Sequence, residues 1–76
     1  MSTMVDRNVA AADVTLALLL RIRGEFLEMP GMSLTLRQAM RLFHLDADTC
    51  EAALRLLVQH RFLAHGAHGT FRRLEA

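Results

Sequence analysis

The chain of 76 residues carries nine basic side chains, and all nine are arginine. A guanidinium is a planar fork of donors that fits phosphate or carboxylate in bidentate fashion. A coding bias towards arginine would give the same count, so placement matters more than number. Residues 1–32 set three arginines against four acids, residues 33–60 three against three, and residues 61–76 three against one, with His65 and His68 close by. A polyanion would therefore be met at the C-terminal end. His65-x-x-His68, with His60 nearby and Cys50 upstream, offers metal-ligand types. The spacing matches no common zinc pattern, and Cys50 falls on an apolar helix face, so no metal and no cofactor is expected.

Catalysis has no visible machinery. There is no glycine-rich phosphate loop, no paired carboxylate in a pocket-forming context and no nucleophile beside a base. Ser2 lies in an unpatterned stretch, Ser33 in a connector and Cys50 in the core. We expect no enzyme and no small-molecule substrate. A single cysteine excludes an internal disulfide and fits a reducing cytoplasm. Arg21 and Arg23 interrupt the longest apolar run, so no membrane span is expected, and the N-terminus lacks a leader pattern. One domain is expected over residues 13–76, after a loose tail over 1–12. A chain this small is marginal, and its 53% hydrophobic content must either fill the core or serve a partner.

The elements that hold these side chains centre on residues 33–63. Thr35 is a candidate N-cap for a helix whose apolar face is Leu36, Ala39, Met40 and Phe43. The pattern breaks at His44-Leu45-Asp46, with His44 read as a partly packed polar residue. A second helix starts at Asp46, or at Asp48 with Glu51 in capping-box spacing. Its buried stripe is Cys50, Ala53, Leu54, Leu57 and Val58. Upstream, Asp13 is a plausible cap for a helix through Val14, Leu18, Ile22 and Phe26, ending by Pro30. Gly24 weakens that helix or permits close packing. Met29, Met32 and Met40 read as core gap-fillers. Downstream, runs around Phe62-Leu63-Ala64-His65 and Thr70-Phe71-Arg72-Arg73-Leu74 flank a loop bounded by Gly66 and Gly69, a β-hairpin. The glycines can supply the positive φ of such a turn. Alternation would place Phe71 with Arg73 on the core side and Leu74 with Arg72 on the other. Leu34 can add a third strand.

Residues 36–43, the turn at His44–Asp46, the helix through Gln59 and Arg61-Phe62-Leu63 before the glycine-bounded loop resemble a winged helix-turn-helix. This is an α+β fold, mostly α, with three helices, a short strand and a C-terminal hairpin wing. The chain is similar to the winged-helix domains of bacterial transcription regulators. Phe26-Leu27-Glu28-Met29-Pro30-Gly31 also resembles small stand-alone bacterial winged-helix proteins. The resemblance implies duplex DNA as partner, with the third helix in the major groove and the wing on the backbone. Carried onto this chain, it makes Thr49, Ala52, Arg55 and Gln59 the groove-facing residues, Arg55 suited to guanine and Gln59 to adenine. His65, His68, Arg72 and Arg73 would meet phosphate from the wing, and Arg37 and Arg41 from the second helix. The chain departs from the family at Asp46, Asp48 and Glu51, where DNA readers commonly carry neutral or basic residues. The alternative is a winged-helix protein-interaction or dimerisation module.

The first helix carries more leucine than a three-helix core needs. Leu16, Leu19, Leu20 and Leu27 lie beyond the Val14–Phe26 face and are expected to form a homodimer interface or to bind a protein partner. The bland rival is that the hairpin and the N-terminal segment cover them.

Overall fold

A computed structural model describes residues 14–74. In chain order it gives α1 (Leu16–Glu28), β1 (Ser33–Thr35), α2 (Leu36–Phe43), α3 (Ala47–Gln59), β2 (Leu63–His65), a 3-10 turn (Ala67–Gly69) and β3 (Thr70–Arg73). The architecture is α+β and mostly helical, with one antiparallel sheet in the order β1-β3-β2.

Each helix begins where a short polar side chain can satisfy the free N–H groups of its first turn. Thr15 accepts from the Leu18 N–H and so starts α1. The cap expected at Asp13 lies outside the described residues, and Val14 precedes the helix instead of opening it. Thr35 accepts from the Gln38 N–H while the Gln38 side chain accepts from the Thr35 N–H, a reciprocal capping box. Asp46, not Asp48, caps α3 by accepting from the Thr49 N–H.

Two helices end on non-glycine residues in the left-handed region. His44 closes α2 at φ 57° and is exposed, not partly packed as its position suggested. Arg61 follows α3 at φ 62°. There the Arg61 N–H donates to the Val58 carbonyl and the Phe62 N–H to the Leu57 carbonyl, the paired bonds of a Schellman ending. Glycine is the usual residue at such a position, because a Cβ there costs on the order of 1–2 kcal/mol.

β3 pairs on both sides. Leu34 lies opposite Phe71 across β1, and His65 lies opposite the same residue across β2. The two-residue period then sends Phe71 and Arg73 to the core face and Arg72 to the outer face, a register that the imperfect alternation of the sequence left open. The hairpin loop closes with the Gly66 N–H donating to the Thr70 carbonyl at 2.8 Å. Gly69 supplies one positive φ, but His68 supplies the other at 69° while Gly66 stays at negative φ.

The core gathers Ile22 and Phe26 of α1, Ala39 and Phe43 of α2, Cys50, Ala53, Leu54 and Leu57 of α3, Leu63 of β2 and Phe71 of β3. Met32 and Met40 pack partly against it, whereas Met29 is exposed beyond the end of α1 and fills no gap. Gly24 is not a close-packing site, since a Cβ built there meets nothing within 4 Å. Gly24→Ala should therefore raise stability by about 1 kcal/mol, and Thr35→Ala should lower it by about 1 kcal/mol. Urea denaturation of both variants checks these signs.

Candidate nucleic-acid interface

Three kinds of surface meet around α3. Ala52, Arg55 and Gln59 are three and four residues apart, so they share one stripe of the helix. Arg55 and Gln59 are exposed and Ala52 is half-buried. Thr49, expected on the same stripe, is buried. It is turned towards Asp46 as part of the α3 cap, and is removed from the groove-facing set. Arg55 is not a free cation: its Nε and Nη2 both donate to Glu51 Oε2, at 3.2 and 2.9 Å. The pair is well exposed, at 67% and 44% for the two side chains, so water and salt weaken it to a few tenths of a kcal/mol. A base edge or phosphate can compete for the guanidinium.

On α2, Arg37 and Arg41 stand four apart and exposed, and with Met40 and Leu45 they line an open depression of about 310 Å³. On the sheet, Arg72 points outward from β3, opposite Ser33 and Ala64. His68 projects at the hairpin tip. His65 is exposed but stacks on Phe71, with ring centroids 4.3 Å apart and planes within 3°.

Arg73 departs from the expected backbone-contacting set. It lies on the core face of β3, half-buried, with its guanidinium 5.1 Å from the Phe62 ring centroid. Its Nε is buried with no hydrogen-bond partner, so the ring face is its principal compensation. Arg23 approaches the same ring at 5.2 Å. Sequence reasoning missed this arrangement. Its one legible trace was the alternation that put Arg73 on the side of Phe71.

The acidic start of α3 has a structural reason. Hydrogen bonds from the Thr49 side chain, then from its backbone N–H, hold the Asp46 carboxyl below its ordinary range. A carboxylate at this position also complements the helix dipole. Asp48 remains exposed in the first turn.

Of the leucines expected on a second face of α1, Leu16, Leu20 and Leu27 are 70%, 51% and 45% exposed. Leu19 is half-buried and packs against the core, because its place on the helix borders the Ile22–Phe26 stripe. Among the described residues no three of His, Cys, Asp and Glu come together as metal ligands, and no helix is long and apolar enough to cross a membrane. No protein-family model matches the chain, and neither a curated protein nor a solved structure matches it.

Cys50 is the one thiol, and it is buried. Burial, then the nearby Asp46 charge, pushes it up from its ordinary 9.0 to about 11. The unfolded chain ionises first, so this contribution to stability is complete below pH 9 and is lost as pH rises through 11. Native protein at pH 8 should resist a thiol-specific maleimide and react fully once denatured. Rapid labelling of the native state would place the thiol at the surface.

Proposed function

We propose that this protein is a winged-helix domain that binds duplex DNA, with α3 in the major groove and the β2–β3 hairpin as its wing. The observation that carries the fold reading is the sheet order β1-β3-β2. With a short strand before α2 and a hairpin after α3, this order supports the winged-helix reading. The support for DNA is that the exposed arginines Arg37, Arg41 and Arg72 come from α2 and the wing, the elements on either side of α3. On α3 itself, Arg55 and Gln59 have the donor and acceptor geometry for guanine and adenine edges. Ala52 beside them is small enough to let the helix approach.

In this reading Arg37, Arg41 and Arg72 fix the protein on the backbone, and Arg55 with Gln59 supplies sequence preference. His68 at the exposed wing tip and His65 at its base would face the backbone as well. Arg55 must leave Glu51 to reach a base, an exchange of one charge-assisted contact for another. Transcription regulation is the role we propose for such sequence-preferring binding. The second reading, a protein-interaction winged helix, is favoured by the Arg55–Glu51 pair and the exposed leucines of α1.

About three phosphate contacts give a slope of log K against log salt near −3 for a monomer. Arg72→Ala should weaken all duplexes alike and reduce that slope by about 1, while Arg55→Ala should also flatten sequence preference. Glu51→Gln should tighten binding, because it frees Arg55 and removes a charge that repels phosphate. A salt-independent affinity, or no gel shift at low salt, would contradict the DNA reading.

A further inference from the structure

A groove of about 370 Å³ runs between α1 and the α3–β2 turn. Leu16, Leu19 and Leu20 form one wall, Leu57 and Phe62 form the floor and far side, and Arg23, His60 and Arg61 add polar groups around them. None of these residues belongs to the proposed DNA-contacting set. Two observations point to a use. First, Leu16, Leu20, Arg23 and Leu27 are spaced four, three and four along α1, the seam spacing of one helix packing on another. That seam is about 16 Å long at the rise of an α-helix, and it continues the groove past its end. Second, Arg61 holds a left-handed backbone, at φ 62°, where glycine would sit without strain. It places a cation at the groove, and a strained residue beside a concavity is a reason to look for function.

We propose that this groove and seam dock an acidic amphipathic helix of another protein. Its leucine-like side chains would enter between Leu16, Leu20 and Phe62, and its flanking carboxylates would meet Arg23 and Arg61. Charge selects this occupant. Among the described residues no acid lines the groove, and the ion pair found among them, Arg55–Glu51, lies elsewhere. The groove is wide open, with Leu16 70% exposed, so it cannot enclose most of a small molecule as ligand sites do. A helix laid along it needs no enclosure. A second copy of this chain fits less well. A two-fold contact sets this patch against its own copy, and with Arg23, His60 and Arg61 and no acid among its described lining residues the patch offers no opposite charge to itself.

The test uses the full chain and a labelled, alanine-based helical peptide of about 15 residues. Leucines sit at the four-three spacing, with glutamate at the flanking positions, and a second peptide has lysine for every glutamate. The glutamate peptide should bind saturably and at least about tenfold more tightly than the lysine peptide, the difference shrinking as salt screens it. Leu16→Ser with Leu20→Ser, both exposed in the free protein, should weaken it about tenfold with an unchanged circular dichroism spectrum. Arg61→Gly, which relaxes the backbone and preserves the fold, should weaken the glutamate peptide several-fold and leave the lysine peptide unchanged. Equal affinity for the two peptides, or no saturable binding of either, overturns the proposal. So does sedimentation at tens of micromolar that finds a dimer dissolved by Leu20→Ser, which would give the groove to a second copy. DNA binding by these variants is read separately, and its loss or retention does not bear on the groove.

Discussion

The fold depends on β3, the last strand of the described chain, lying between the other two. β1 precedes α2, β2 follows α3, and neither pairs with the other. Only β3 joins them, through Phe71, which faces Leu34 on one side and His65 on the other and is itself buried in the core. The consequence is a clamp. Both ends of the α2–α3 unit are fixed to one sheet, so the angle at which α3 is presented is set by strand pairing and not by the short turn at His44–Asp46 alone. The pairing of residues 33–35 with residues 70–72 also closes a long loop, a cost that must be met before these contacts stabilise anything. Local helix signals are therefore strong here while the element that organises them is distant in sequence.

That clamp also sorts the arginines. A count of nine suggests a strongly anion-seeking surface, yet much of it has structural work. Arg21 lies over Phe43, Arg23 and Arg73 both lie over the Phe62 ring, and Arg55 is bound to Glu51. The long aliphatic stems cover apolar surface that so small a domain cannot bury otherwise. In the proposed reading Arg37, Arg41 and Arg72 stay open to a polyanion, and Arg55 can be drawn from Glu51 to join them. Beside the α1 groove stand Arg61, which is exposed, and Arg23, which borders the groove from its place over Phe62. These are two separate surfaces with different physics: one wet and salt-sensitive, the other apolar with charged edges.

Much of this was readable from the sequence, and the reasons differ by element. α2 and α3 were legible because Thr35, and then Asp46 or Asp48, are capping types followed by clean helical periodicity, though which aspartate caps α3 was left open. The hairpin was legible because Gly66 and Gly69 bracket it, but its register was not, because the alternation of apolar and charged residues is imperfect. The side of Thr49 was not legible, because a helical wheel assigns faces by angle and ignores that a residue in the first turn can turn back to its cap. Arg61 gave no warning of a left-handed turn, since glycine is the usual signal and it was absent. Thr15 was passed over as the cap of α1 because Asp13, two residues upstream, is also a capping type. The Arg55–Glu51 pair had the right spacing on one helix, but spacing alone does not say whether a guanidinium folds back or stays in water.

The central claim is that α3 and the hairpin contact duplex DNA while the α1 groove stays free. The most direct measurement is a titration of isotope-labelled protein with a short duplex at low salt, followed by amide and arginine side-chain NMR shifts. The account predicts shifts concentrated at Arg37, Arg41, Ala52, Arg55, Gln59, His68 and Arg72, with Leu16, Leu20, Leu27 and Arg61 unmoved. Shifts concentrated at the α1 seam and the Arg61 turn, or none anywhere, would contradict it.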